Sequence, residues 1–175
     1  HGAHTLTLLL EDRARDAIQS ARELQPLWQQ GIFALESALY SVCANLAIDR
    51  VSDAQAVLDQ VLFHALSHGI TETELSAMSV PMLSLLRGVC AAEKGELMAA
   101  RTQLAEALRI FDERGDALTA CIAQFYLARV LYKLGDLPAA QSTLLLALGF
   151  ARQCALGPLL CRIEILLAQV ALSSP

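Results

Sequence analysis

The chain contains few aromatic or charged residues, and it lacks the short motifs that usually carry enzymatic chemistry. Aromatic residues make up 5% and charged residues 18%, whereas 55% are hydrophobic, so the apolar content is nearly all Ala, Leu, Val and Ile. No Gly-rich phosphate loop, Gly-x-Ser-x-Gly elbow or Cys–His nucleophile pair is present. We therefore predict that the chain is not an enzyme, has no catalytic residue and uses no cofactor.

Long apolar runs and an excess of basic charge are also missing. No stretch of about 18 uncharged apolar residues occurs, and no basic-then-apolar segment opens the chain, so neither a membrane span nor a signal segment is expected. The net charge of −5 argues against direct contact with a nucleic-acid backbone. We expect partners other than membranes and nucleic acids.

Five cysteines are present, but none forms the Cys-x-x-Cys pair of a zinc or redox motif: Cys43, Cys90, Cys121, Cys154 and Cys161. They fall on predicted helices, where a free cysteine commonly behaves as a small buried hydrophobe. We interpret them as structural and expect a reducing, cytoplasmic compartment.

A histidine pair is the one pattern that resembles a metal site. His64 and His68 are four residues apart, so a helix would place both imidazoles on one face. No third ligand lies nearby, because Asp59 falls on another turn. Histidines near a helix C-terminus are also favourable against the helix dipole. We favour this structural interpretation and predict no metal.

The dominant feature is a unit written twice, 40 residues apart. Residues 95–100 (GELMAA) match residues 135–140 (GDLPAA), and the match continues with Leu104 over Leu144 and Ala107 over Ala147. A third, more divergent copy lies upstream, where Ala54 and Leu58 correspond to Ala100 and Leu104. A fixed period of this size without strand-like alternation is typical of a helical-repeat array.

The residues at the helix ends and helix contacts of each unit suit those places. Gly95 and Gly135 can take the left-handed conformation that ends a helix, and the acid after each glycine suits the start of the next helix. Pro138 lies in a first turn, where its missing N–H costs little. The small residues Gly88 and Ala128, at matching places, let antiparallel helices approach closely.

The predicted architecture is all-α, a superhelix of about eight antiparallel helices in TPR-like hairpins. The predicted helices are 5–29, 32–48, 52–68, 71–94, 96–114, 116–134, 137–154 and 158–173, with a kink or short break at Pro81. We interpret residues 1–4 as a cloning remnant and 5–175 as one domain. The last helix is apolar on most sides, which predicts a fragment of a longer array or a homo-oligomer; we favour the fragment.

In such arrays the first helix of each hairpin lines a concave groove. The period places there Glu36, Leu39, Cys43, Leu46, Met82, Leu85, Val89, Glu93, Phe125, Arg129, Tyr132, Lys133, Arg162, Ile165 and Gln169. From these we predict a ligand-binding set of Val89, Phe125, Arg129, Tyr132, Lys133 and Arg162. It would suit an apolar ligand or helix bearing a carboxylate or phosphate, or a stacked sugar. The plainer alternative is that Phe125 and Tyr132 pack between repeats and the basic groups are solvated.

The small residue at the eighth place, the Gly-acid pair and the two later alanines resemble the tetratricopeptide (TPR) repeat. Ser84, Arg87 and Gln124 depart from that pattern, and the unit exceeds the usual spacing of about 34 residues. The stretches 127–156 and 161–172 also resemble the helical-repeat region of large LuxR-family transcriptional regulators of the MalT type. That resemblance implies an ATP-binding module before the superhelix, a helix-turn-helix domain after it, and a region that receives an inducer or inhibitory partner and controls self-assembly.

From the sequence we therefore expect a domain that works by binding. The favoured hypothesis is the effector-sensing or assembly part of a bacterial transcriptional regulator. The rival hypothesis is a stand-alone TPR scaffold that joins proteins and takes no small-molecule effector.

Overall fold

The computed structural model describes residues 41–67, 72–154 and 156–173, together with Asp16 and Gln19. From residue 41 onward the described residues contain seven helices and no strand. The helices are α1 (41–47), α2 (Val51–Ser67), α3 (Glu72–Glu93), α4 (Leu97–Arg114), α5 (Ala117–Lys133), α6 (Leu137–Gln153) and α7 (Gly157–Ser173). The all-α class is confirmed, but the described part holds one helix fewer than the eight predicted. The predicted helix at 5–29 lies outside the described residues, apart from Asp16 and Gln19, which are both helical.

The chain divides into two compact units, one ending at Val80 and the other beginning at Pro81. The first unit contains α1 and α2, where Val42, Leu46, Ala54 and Leu58 are buried. The boundary falls inside α3, which is one helix across Pro81. Of the two alternatives predicted there, the short break is wrong and the kink stays a prediction. Whether residues 5–175 form one domain stays a prediction.

Helices of the second unit pack against their neighbours along the chain. Helix α4 packs on α5, α5 on α6, and α6 on α7, and α5 also contacts α7. This arrangement of neighbouring pairs is consistent with helical hairpins and with a helical repeat. None of the helices in the described ranges is both long enough and apolar enough to cross a membrane.

Three turns of the second unit have the same backbone conformation and hydrogen-bond pattern. Gly95, Gly115 and Gly135 have φ angles of +84°, +69° and +81°, as the sequence predicted for the first and third. In each turn the N–H of the acid that follows donates to a carbonyl five residues earlier, at 2.9–3.0 Å. These bonds satisfy carbonyls that the helix end leaves without partners. The Gly-acid pairs therefore determine where α3, α4 and α5 end.

The 40-residue repeat is visible in the packing of α4 and α6. Residues 101–110 and 141–150 have the same succession of buried, half-buried and exposed side chains, position by position. Leu104, Ala107, Leu144 and Ala147 are all fully buried. The repeat register inferred from the sequence is thus the register in which these two helices pack.

At Gly88 the helices α3 and α4 are in close contact. A Cβ added there would lie 2.6 Å from Leu104 Cγ and 3.2 Å from the Ala100 carbonyl oxygen, both on α4. A side chain at this position would force α3 and α4 apart or displace Leu104. The predicted role of a small residue at this place is confirmed.

Candidate functional site

The six residues predicted to bind a ligand lie on α3, α5 and α7 in the second unit. Val89 and Phe125 are buried, Arg129, Tyr132 and Arg162 are half-buried, and Lys133 is exposed. As the 40-residue period predicted, they lie on every second helix along the chain, namely α3, α5 and α7. The structure places five of them in an aromatic cluster or an open depression, with Arg129 in both, and places Tyr132 in a separate contact between α5 and α7.

The aromatic cluster consists of Phe125 and Tyr126 on α5 with two arginines over their rings. The rings meet edge to face, with centroids 5.3 Å apart. The guanidinium carbon of Arg162, on α7, lies 4.3 Å from the centroid of Phe125, and that of Arg129 lies 5.4 Å from the centroid of Tyr126. Each distance is within the range of a cation–π contact. The cluster therefore joins α5 to α7 across one repeat.

These contacts bear on the predicted sugar-stacking alternative. Phe125 and Tyr126 are both buried, and protein cations occupy positions over their rings. Phe125, one of the two rings named in that prediction, therefore offers little accessible face to a sugar, whereas the other, Tyr132, is half-buried, and stacking on it stays a prediction. The cluster works here as packing between helices, with the polar arginine groups at its edge.

Tyr132 makes a second link between α5 and α7. Its hydroxyl lies 3.3 Å from the hydroxyl of Ser173, and the Ser173 hydroxyl lies 2.9 Å from the Gln169 carbonyl oxygen. Since Ser173 donates to that carbonyl, Tyr132 donates to Ser173. Tyr132 thus packs between repeats, as the plainer alternative from the sequence expected.

The open depression lies between α3 and α5, and we call it the α3–α5 depression. It is lined by Val89, Ala92, Glu93, Tyr126, Arg129, Val130 and Lys133. It is shallow and open to solvent, and the space that it encloses is about 10 Å³, roughly enough for one water molecule. It therefore suits the tip of a small group on a ligand that lies mainly on the surface, and it does not suit a whole ligand.

Three of the six predicted residues line the α3–α5 depression: Val89, Arg129 and Lys133. Phe125, Tyr132 and Arg162 do not. The sequence did not indicate Ala92, Tyr126 or Val130. Their signal is helical spacing, because Tyr126, Val130 and Lys133 recur at intervals of four and three residues on one side of α5.

The charges around the α3–α5 depression are mixed, with a basic excess. Arg129 and Lys133 contribute two positive charges, and exposed Glu93 contributes one negative charge. The floor contains the apolar side chains Val89 and Val130. An anionic group entering this space would meet cations at the rim and aliphatic surface beneath.

The other predicted groove residues have varied positions. Cys43, Leu46, Met82 and Leu85 are buried in the cores of their own units, whereas Glu93, Ile165 and Gln169 are exposed. Glu36 and Leu39 lie outside the described residues, as does His68. Where the structure describes the chain, no group of three or more His, Cys, Asp or Glu side chains is placed to hold a metal ion.

Cys121 has a strongly altered thiol. It is buried on α5, and its Sγ lies 3.4 Å from the carbonyl oxygen of Ala147 on α6. Burial, with a smaller contribution from nearby Cys154, raises the pKa of the Cys121 thiol to about 12. A nucleophilic cysteine requires a lowered pKa, so Cys121 has the properties of a packing residue.

Comparison of this chain with protein-family models, curated proteins and solved structures found no significant match. The geometry of the α3–α5 depression is therefore the basis for a functional proposal.

Proposed function

We propose that this chain is a binding module of TPR-like helical hairpins and that the α3–α5 depression holds an anionic group of its ligand. The group would be a carboxylate or phosphate on an apolar molecule or helix. The observation that carries this proposal is the pairing of exposed Lys133 and half-buried Arg129 above the apolar floor of Val89 and Val130.

The chemistry of the two cations supports this choice. The planar guanidinium of Arg129 can donate two parallel hydrogen bonds to a carboxylate or phosphate, while the Lys133 ammonium acts as a mobile point charge. Arg129 also lies near the ring of Tyr126, which limits the conformations of its side chain. A pre-ordered cation loses less entropy when it binds an anion.

We further propose that the hairpins stack as a superhelix and serve as the effector-sensing or assembly part of a cytoplasmic bacterial transcriptional regulator. The support is the resemblance to LuxR-family regulators of the MalT type, together with a packing of neighbouring helices that is compatible with such a repeat. Reading the gene around this segment tests this step. A Walker A motif upstream and a helix-turn-helix domain downstream are expected, and their absence from the complete gene would contradict it.

Native mass spectrometry tests the binding proposal. The purified chain is measured before and after incubation with a bacterial metabolite extract. We expect a small acidic molecule to be retained. A spectrum without any added mass would contradict an effector role and favour the scaffold.

Matched charge reversals locate the bound molecule. Lys133→Glu should abolish retention, because the new carboxylate repels the anion and Lys133 is exposed enough for the fold to tolerate the change. Arg101→Glu, at an exposed position of α4 that does not line the depression, should retain the molecule. Equal retention by both variants would place the ligand elsewhere.

The alternative is a protein-binding scaffold without an effector. Leu145 and Leu146 favour it, because these adjacent apolar side chains are exposed on α6. Exposed apolar groups of this kind often belong to protein interfaces. A scaffold would capture a protein partner with unchanged affinity after Lys133→Glu and with reduced affinity after Leu146→Glu.

A further inference from the structure

Two arginines from consecutive repeats lie over the same pair of aromatic rings. The guanidinium carbon of Arg162, on α7, is 4.3 Å from the centroid of Phe125 and 5.6 Å from that of Tyr126. The corresponding distances for Arg129, on α5, are 5.8 Å and 5.4 Å. Because both guanidinium groups are measured to the same Phe125 centroid, at 4.3 Å and 5.8 Å, their carbons lie at most about 10 Å apart. Two positive charges from different helices are therefore close together.

Arg129 also connects this pair of arginines to the α3–α5 depression. Tyr126 and Lys133 line the depression from α5, whereas Phe125 contacts Arg162 of α7. The 3.6-residue period places Arg129 between these two sides of α5, and Lys133 follows it by one helical turn. We call Lys133, Arg129 and Arg162 the basic row. It runs from the depression across α5 to α7.

The positive charge of the basic row exceeds what one carboxylate can neutralise. Its three side chains contribute three positive charges, and Glu93 at the rim of the depression contributes one negative charge, so the balance of these four side chains is +2. A carboxylate brings one negative charge, whereas a phosphate monoester brings about −1.5 to −2 at pH 7. A phosphate group therefore matches the row in charge.

The number of acceptor atoms favours the same anion. One guanidinium can occupy both oxygens of a carboxylate through two parallel hydrogen bonds. A phosphate monoester offers three acceptor oxygens, so a second guanidinium can bind it from another side. Arg129 and Arg162 are both half-buried, and their contacts with the aromatic rings restrict their side chains. Restricted donors lose less entropy on binding.

We propose that the anionic group bound by this module is a phosphate monoester, held jointly by Arg129 and Arg162 with Lys133 beside them. Arg162 is then the residue that selects phosphate over carboxylate, because a carboxylate needs only Arg129 and Lys133. This inference rests on the proposed function and narrows its ligand from two anions to one. Since Arg162 belongs to the following repeat, the bound phosphate would also link α5 to α7.

A titration with two simple probes tests the proposal. Phenyl phosphate and benzoate each join one apolar ring to one of the two anions. Each is added to the ¹⁵N-labelled chain near pH 7.5 in a buffer without inorganic phosphate, and the amide chemical shifts report both the affinity and the contact site. Phenyl phosphate should bind about ten- to a hundredfold more tightly, which is the gain expected from hydrogen bonds to one further charged group. The amides that shift should lie on α5 and α7.

Variants of Arg162 test its role in selecting the anion. Arg162→Gln should weaken the binding of phenyl phosphate by about tenfold or more and leave that of benzoate unchanged. Arg162→Lys keeps a positive charge at this position and should restore part of the phosphate affinity, which separates loss of charge from loss of packing. Arg101→Gln, at an exposed position of α4, is the matched control and should bind both probes like the original chain.

A third probe identifies the kind of molecule that carries the phosphate. An apolar helical peptide is titrated with and without one phosphoserine. Tighter binding of the phosphopeptide than of phenyl phosphate would assign the phosphate to a protein helix, and weaker binding would assign it to a small molecule. Both results support a phosphate site, provided that the unphosphorylated peptide does not bind.

Two outcomes separate this inference from the proposed function. Equal affinities for phenyl phosphate and benzoate, both lost in Lys133→Glu and both unchanged in Arg162→Gln, would overturn the phosphate assignment and leave the proposed anion site intact. Binding of neither probe to the original chain would overturn both.

Discussion

Helices α5 and α7 occupy the same place in consecutive repeats, yet their surroundings differ. Cys121 and Phe125 of α5 are buried, whereas Cys161 and Ile165, 40 residues later, are exposed. Their opposite sides do not differ in this way, because Ala123 and Ile163 are both fully buried. The place of a helix within its repeat thus determines whether one of its sides is buried. Burial of the other side depends on whether a following hairpin packs against it.

Helices α4 and α6 provide the contrasting case. Their burial patterns coincide over ten consecutive residues, although they lie in different repeats. Each packs through a single apolar stripe that contains Ala and Leu at matching places. Where matching helices pack against α4 and α6, residues 40 positions apart are buried to the same degree.

Leu104→Ala and Leu144→Ala should each lower the free energy of unfolding by about 2–5 kcal/mol, because both side chains are fully buried and their removal leaves a cavity. Urea denaturation followed by circular dichroism measures the change. Leu146→Ala is the exposed control and should shift the free energy of unfolding by less than about 0.5 kcal/mol. If neither core substitution moved the transition, the repeat register would be refuted.

Gly88→Ala should destabilise the chain by about 1–3 kcal/mol, since its new methyl group would overlap Leu104. Gly149→Ala is the matched control on α6. No atom lies within 4 Å of a Cβ placed there, so the better helix propensity of alanine should stabilise the chain by about 0.5–1 kcal/mol. The same denaturation experiment reports both changes. Stabilisation by both substitutions would show that α3 and α4 are not in close contact at Gly88.

Asp136→Ala should cost about 1 kcal/mol, because the Asp136 carboxylate accepts a hydrogen bond from the N–H of Ala139 at 3.2 Å. Glu96 occupies the equivalent place before α4 but makes no side-chain cap bond, so Glu96→Ala should cost less. Thermal melts of the two variants compare these effects, and Asp136→Asn, which keeps an accepting oxygen, should restore most of the loss. A larger cost at Glu96 would mean that charge rather than the cap bond stabilises these turns.

Cys121 should make the stability of the chain sensitive to alkaline pH, with no effect at neutrality. Burial raises the pKa of its thiol to about 12 in the folded state, whereas an unfolded thiol ionises near pH 8.5. The unfolded state therefore loses a proton first, and stability falls as pH rises from about 9 towards 12. Cys121→Ser has no such titration. Its melting temperature should decline less over that range than that of the original chain, and parallel declines would contradict the assigned burial.

Much of the second unit follows from local sequence. The Gly-acid pairs predict where α3, α4 and α5 end, because glycine alone adopts a positive φ at low cost. Buried Ala and Leu positions follow from the helical period. The candidate site was less predictable. The period indicates that Phe125 and Arg162 lie on equivalent helices of consecutive repeats. It does not show that the Arg162 guanidinium lies over the Phe125 ring.

The reason lies in side-chain size and direction. Phe125 and Arg162 come from different repeats, so their contact depends on how α7 is placed against α5. Tyr126 was missed because its neighbour Phe125 matched the expected groove position. When a helix has apolar residues on two sides, the sequence does not show which side is buried, because this depends on which other helices pack against it. For the same reason the sequence did not predict that Tyr132 contacts Ser173 on α7.

Residue-resolved cysteine alkylation tests the comparison of α5 with α7 most directly. The folded, dilute chain is treated with iodoacetamide near pH 8, and mass spectrometry of timed digests measures the modification of each thiol. We expect rapid modification of exposed Cys161, and modification of buried Cys121 only when the chain unfolds. Equal rates at the two cysteines in the folded chain would contradict it, because they would show that equivalent positions of α5 and α7 have the same cover.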